Sequence, residues 1–139
     1  MHIPDGYLGP PTYGGLWAAM AGIWYFASSR IKKTLKAAEV PFLALGAALS
    51  FVIMMFNVPI VGGTTGHATG TALLAITLGP WAAVIAVSIA IAVQALLFGD
   101  GGITALGANC FNMAFTDAMV SYAVYRLITR GFGKNAADG

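Results

Sequence analysis

The chain has 139 residues, of which 58% are hydrophobic and only 9% charged. Soluble domains carry roughly 25% charged residues, so this composition excludes a water-coated globule and points to a bundle in the lipid bilayer. The seven Lys and Arg are confined to Arg30, Lys32, Lys33 and Lys36, then Arg126, Arg130 and Lys134, which leaves no basic strip for a nucleic acid.

Residues 1–13 are rich in Pro and Gly and cannot form a regular helix throughout. No basic start or small-residue cleavage site marks a signal peptide, and His2 is too large for methionine trimming, so Met1 is expected to be the mature first residue. A first apolar block spans about Gly14 to Ser29 and a second about Val40 to Phe56, opened by Pro41. The loop Asn57–Gly66 and His67 follow. A third stretch, about Ala68 to Leu78, stops at Gly79-Pro80. The fourth runs from Trp81 to Phe98, and the fifth from Ile103 to Ile128 after the turn Gly99-Asp100-Gly101-Gly102. That turn lacks the Lys-Ser/Thr of a phosphate loop. Residues 129–139 read as a flexible tail.

Cytoplasmic loops collect Lys and Arg. With the N-terminus outside, five crossings put both basic clusters inside, and no other parity does. The predicted fold is therefore an all-α, polytopic transmembrane bundle, one membrane domain over 1–139 in the cell membrane. Its extracellular segment is 1–13 and its cytoplasmic tail 129–139. The third helix is short, roughly 16 Å against a hydrocarbon core of ~30 Å. Loop 57–66 is expected to lie buried above it, because irregular backbone at that depth must be covered by protein or line a wet cavity.

This topology brings the chain's two histidines, His2 and His67, to the outer side. A free α-amine on Met1, the amide nitrogen of His2 and its imidazole Nδ1 can close two fused chelate rings on one metal, and His67 can supply a fourth nitrogen. Four nitrogens with a deprotonated amide favour square-planar Cu(II) or Ni(II) over Zn(II) or Mg(II). If His67 opens the third helix, the helix dipole keeps it neutral. The plainer roles, a solvated terminal His and a hydrogen-bonded packing His, stay open on spacing alone.

Met1-His2-Ile3-Pro4-Asp5-Gly6-Tyr7-Leu8 resembles the start of the CbiM/NikM family, the substrate-specific membrane subunits of energy-coupling-factor (ECF) nickel and cobalt transporters. The resemblance continues through Met54-Met55-Phe56-Asn57, Gly63-Thr64-Thr65-Gly66-His67, Phe98-Gly99-Asp100-Gly101-Gly102-Ile103-Thr104 and Asn109-Cys110-Phe111-Asn112-Met113. It implies a metal held by Met1, His2 and His67, with Ni²⁺ first and Co²⁺ second. It also implies partners: a membrane coupling subunit, paired ABC-type ATPases and a small accessory membrane subunit. ATP hydrolysis would belong to those partners, since no catalytic constellation is visible here. Family members generally continue for further helices.

Asn109 and Asn112, at i and i+3, are expected to share a helix face and to order the N-terminal segment or the loop around the ligands; interhelical packing is the alternative. Thr64 and Thr65 are expected to orient His67 or to cap the third helix. Asp117 is the one carboxylate in a predicted span, expected either to stay protonated or to bond Asn, Thr or Tyr. The single cysteine, Cys110, reads as a small buried residue. Two rivals remain: a vitamin-binding subunit of the same importer class, and a bundle with no transport role.

Overall fold

The structure, a computed structural model, describes residues 2–135. The expected amine ligand Met1 and the end of the tail, 136–139, lie outside the described residues.

Helix α1 spans Pro10–Thr34. It begins ahead of the expected Gly14 because two prolines occupy its first positions, where a missing N–H costs nothing and φ is already helical. Lys32 and Lys33 fill its last turn, favourably placed for the negative end of the dipole. A 3₁₀ turn, Ala37–Glu39, leads into α2, Val40–Met54. The end of α2 tightens, the amides of Met55 and Phe56 bonding back three residues to Val52 and Ile53. Gln94 Nε2 then donates to the Phe51 carbonyl at 3.4 Å, tying the end of α2 to a distant part of the chain.

Segment 57–66 is neither irregular nor buried, as the sequence had suggested. It is a hairpin of β1, Val58–Ile60, and β2, Thr64–Gly66, with Val58 opposite Gly66 and Ile60 opposite Thr64. Its turn uses Gly62 and Gly63 at positive φ, where side chains other than glycine are strained. Pairing satisfies the hairpin's own backbone and removes the need for cover; Val58, Ile60 and Val61 are all exposed.

Helix α3 covers only Thr71–Thr77, shorter than the stretch from Ala68 that apolarity suggested. Gly70 precedes it at φ 73°, and 67–70 is non-helical. Helix α4, Pro80–Val93, continues through a π turn, Gln94–Phe98. The last rod comprises α5, Leu106–Cys110, a π turn at Phe111–Thr116, and α6, Asp117–Asn135. Residues 129–135 are therefore helix where a flexible tail was expected.

The core is built from small residues. Ala82, Ala83, Ala86 and Ala90 are buried along α4, and Gly107 meets α1 so closely that an added Cβ would lie 2.8 Å from the Trp17 backbone. Small contacts of this kind let helices approach where lipid gives no hydrophobic drive between them. Met20, Met54 and Ile91 are buried among them, while Phe42, Leu45, Val52, Leu96, Leu97 and Leu127 point outward and are exposed. Among the described residues two helices, Ala37–Met54 and Pro80–Phe98, are long and apolar enough to cross a membrane.

The rods alternate in direction. The last turn of α1 lies beside the α3–α4 turn, Ile31, Thr34 and Leu35 sharing a cleft with Leu78, Gly79 and Pro80. At the opposite end the N-terminal segment, the 99–105 turn and the loop carrying His67 come together.

Candidate metal centre

The N-terminal segment has no secondary structure of its own, so its backbone must be satisfied elsewhere. Asn109, buried at the start of the last rod, satisfies much of it. Its Oδ1 accepts from the Ile3 amide at 2.9 Å and its Nδ2 donates to the Ile3 carbonyl at 3.1 Å. The Gly102 amide donates to the same carbonyl at 2.9 Å. One asparagine thus imitates a neighbouring strand.

Asp5 closes the segment from the other side. Its carboxylate accepts the amides of Ile103 (3.2 Å) and Thr104 (2.8 Å) and the Thr104 hydroxyl. The hydroxyl and amide of Thr104 hold the Asp5 carboxyl below its ordinary value. The Thr104 carbonyl accepts Trp17 Nε1 at 3.0 Å, anchoring the turn to α1.

Glycine makes this docking sterically possible. An added Cβ on Gly101 would lie 2.7 Å from the His2 Cβ, and that residue has φ +100°. A Cβ on Gly102 would strike the Asp5 backbone and carboxylate. Gly99-Asp100-Gly101-Gly102, expected to be no more than a turn, is the cradle of residues 2–5. Asp5, Thr104, Gly101 and Gly102 were missed as site residues, and the paired glycines were the available signal.

His2 sits in the cradle with its side chain buried. Its Nδ1 donates to the Asp100 carbonyl at 3.0 Å, with an Asp100 carboxylate oxygen 3.5 Å away. That tautomer leaves the lone pair on Nε2, which is buried without a hydrogen-bond partner. Burial holds His2 below the ordinary histidine value, outweighing the opposing pull of Asp100, so the ring is neutral as a metal ligand requires.

The ring of His67 lies edge-on to that of His2, centroids 5.3 Å apart at 76°. His67 Nδ1 lies 3.3 Å from the Ala68 carbonyl; donation there puts the lone pair on Nε2. The expected dipole argument does not apply, because His67 precedes the first residue of α3, Thr71, and α3 has only seven residues. Nor do Thr64 and Thr65 cap α3: both belong to β2, and Gly70 holds the cap position.

Asn109 and Asn112 do not share a face. Asn109 is buried, whereas Asn112 is exposed. Asn112 lies in the π turn, whose wider coil advances fewer degrees per residue than an α-helix, and the i, i+3 relation is lost. Asp117 finds a threonine, as expected, and a serine besides: Thr69 Oγ1 donates to one oxygen at 2.8 Å and Ser121 Oγ to the other at 2.9 Å. Cys110 is buried. Among the described residues no group of three or more His, Cys, Asp or Glu is placed to hold a metal.

Residues 2–138 match the family described as "Cobalt uptake substrate-specific transmembrane region", CbiM. The chain belongs to the CbiM family. It is 56% identical over 131 residues to a fused nickel transport protein, NikMN, of Rhodobacter capsulatus, covering 94% of this chain and 38% of that protein. A cobalt transport protein CbiM of Thermosipho melanesiensis is 38% identical over 131 residues, covering 91% of this chain and 54% of its own length. A crystal structure described as a truncated transition metal transporter superposes with a TM-score of 0.89 at 55% identity, covering 94% of this chain and 61% of that one. The chain thus spans only part of the length of these relatives. CbiM membership makes it a membrane protein.

Proposed function

We propose that the chain captures Ni²⁺, with Co²⁺ second, from the outer side of the cell membrane as the substrate-binding component of an ATP-driven ECF-type importer. The observation that carries this is the meeting of the chain's two histidines: His2 and His67, far apart in sequence, stand 5.3 Å apart ring to ring. Names on both sides of the family, nickel and cobalt, agree with the choice of metal. The partners are a membrane coupling subunit, paired ABC-type ATPases and a small accessory membrane subunit.

The ligands are the Met1 amine, the His2 amide nitrogen and imidazole Nδ1, and a nitrogen of His67. The ring orientation of His2 differs from the chelate in one respect. The His2 Nδ1 faces the Asp100 carbonyl, so loading turns the ring about its Cβ–Cγ bond and exchanges that hydrogen bond for the metal. An Nε2 lone pair cannot close the same ring, because it lies on the far side of the imidazole. Asn109, Asp5 and the glycine cradle act before metal arrives, fixing Ile3 and therefore His2 beside it.

A cleft of about 410 Å³ between α2 and α4 is lined by Ala44, Ala47, Ala48, Phe51, Ile89, Ala90 and Val93. It offers no polar side chain to orient a vitamin, which favours the metal reading over the vitamin-binding alternative.

The decisive experiment adds one residue ahead of Met1. The amine becomes an amide, His2 leaves position 2, and the fused rings cannot form. Nickel loading, measured by metal analysis of the purified protein, is expected to vanish, while the same extension after Gly139 leaves it intact. Loaded native protein should show the yellow-orange absorption of a square-planar nitrogen field. An extended protein that loads nickel with unchanged colour overturns the ligand assignment.

A further inference from the structure

Segment 67–70 has neither helix nor strand to hold it, yet it carries a proposed ligand. Thr69 is its fixed point. The Thr69 carbonyl accepts the Ser50 hydroxyl from α2 at 2.5 Å. Its Oγ1 accepts the Thr71 amide at 3.2 Å and donates its own proton to Asp117 Oδ2 on α6 at 2.8 Å. Ser121, one turn further along α6, donates to Asp117 Oδ1 at 2.9 Å. Two residues after Thr69, the Thr71 hydroxyl donates to the Met113 carbonyl at 2.9 Å. The Asp117 amide passes that carbonyl over, reaching back to Asn112 instead.

We infer that Asp117 is a positioning residue for His67, acting through Thr69; this rests on His67 being a metal ligand. A carboxylate inside a membrane bundle is expensive to keep, and packing alone would be served by an apolar residue. What an acidic side chain supplies is acceptance on both oxygens at once. Thr69 and Ser121 each have a proton to give, and Oγ1 of Thr69 is already engaged by the Thr71 amide. An amide in place of the carboxylate would turn a donor toward one of two donating hydroxyls. Asp117 thus fixes the rotamer of Thr69, Thr69 fixes the backbone two residues from His67, and the imidazole arrives already aimed at His2.

The test uses the full chain with its native N-terminus and reads Ni²⁺ affinity and the square-planar absorption band. Asp117→Asn and Thr69→Val are each expected to weaken Ni²⁺ binding ~10–100-fold, the range of partners that orient ligands. Their band should shift to lower energy as solvent replaces a misplaced imidazole. Thr69→Ser, which keeps the hydroxyl, should bind like the parent, and it preserves the test if Asp117→Asn fails to fold. The double variant should be no weaker than the weaker single. In a His67→Ala background neither change should alter the residual binding. Parent-like binding in both single variants, additive losses, or equal losses without His67 would overturn the inference. A His67→Ala protein that binds like the parent would instead sink the ligand assignment beneath it.

Discussion

The two ends of the bundle are held by different kinds of bond. At the His2 end the hydrogen bonds reach across the chain: Ile3 to Asn109, Asp5 to Thr104, His2 to Asp100 and Thr69 to Asp117. At the basic end, among the described residues, they stay within one turn of one helix. Ser29 bonds to Tyr25, Thr34 to Arg30 and Thr129 to Tyr125, and Arg30 and Arg126 lie over the rings of Phe26 and Tyr122 on their own helices. Long-range bonds fix where segments sit relative to one another; local ones only decorate a helix that would form regardless. One end is built to present a fixed geometry. The other presents charge, which needs only to face the membrane surface or a partner.

The largest effect should come from removing an imidazole at the cross-linked end. His67→Ala is expected to lower Ni²⁺ affinity by more than the ~100-fold that partners of ligands reach. Cys110→Ser, in the buried core, should leave affinity nearly unchanged, because a four-nitrogen site has no use for the thiol. Calorimetric titration of both variants checks the pair. Loss in the cysteine variant with retention in His67→Ala would move the site into the core.

Next in size is Asn109→Ala. The Ile3 amide loses its acceptor and its carbonyl one of two donors, and a buried group left unsatisfied costs ~1–3 kcal/mol. Ni²⁺ affinity should fall ~10–100-fold, with faster hydrogen exchange at Ile3. Asn112→Ala, at an exposed position, should change affinity by no more than about twofold, as surface substitutions do. Equal losses in the two variants would restore the shared face that the π turn removes.

These two asparagines mark where the sequence was readable and where it was not. The helical segments were legible because long apolar blocks ended at basic clusters or at Gly-Pro and Gly-Asp-Gly-Gly. The meeting of His2 and His67 was legible because topology alone sends both to one end. The π turns were not, since nothing in Phe111–Thr116 distinguishes a wide turn from an ordinary one, and with them went the relative facing of Asn109 and Asn112. The hairpin at 58–66 was hidden for another reason. Val58, Ile60 and Val61 are apolar yet exposed, so hydrophobicity pointed to burial while strand pairing had already met the backbone's needs. Residues 129–135 looked polar enough for disorder, but they extend a helix already nucleated upstream, which adds one bond for each residue fixed.

A smaller effect should follow Asp5→Asn. Asp5 is exposed, and its bonds to residues 103 and 104 hold the segment without touching the proposed ligands. A several-fold loss of Ni²⁺ affinity is expected, less than for Asn109→Ala. The same bond predicts acid release. The folded Asp5 value lies below the ordinary 3.8, so its contribution is present above pH 3.8 and lost as pH falls through the folded value. His2 is likewise lowered, from 6.5 by burial, so docking of its neutral ring weakens as pH drops below 6.5. Hydrogen exchange at residues 3–5 should therefore rise on acidification in the parent, first through His2 and then through Asp5, and Asp5→Asn should lack the second step. A parent with uniform protection from pH 7 to pH 3 would show that neither group holds the segment.

The smallest effect is expected at the basic end, and it tests the comparison most directly. Replacing Lys32 and Lys33 with Ala removes two charges from the last turn of α1, where each stabilises its own helix by ~0.3–1 kcal/mol through the dipole. The helix they serve is twenty-five residues long and is packed along its length, by Trp24 donating to Ser88 at 2.9 Å and by Phe26 against Trp81 at 4.8 Å. Those contacts absorb fraying at Thr34 before it can reach Trp17, which is the α1 residue bonded to the cradle. Ni²⁺ affinity of the purified double variant should stay within about twofold of the parent, with its absorption band unmoved. A tenfold loss would mean that charge at one end is felt by ligands at the other, and the division between a fixed end and a merely charged one would not stand.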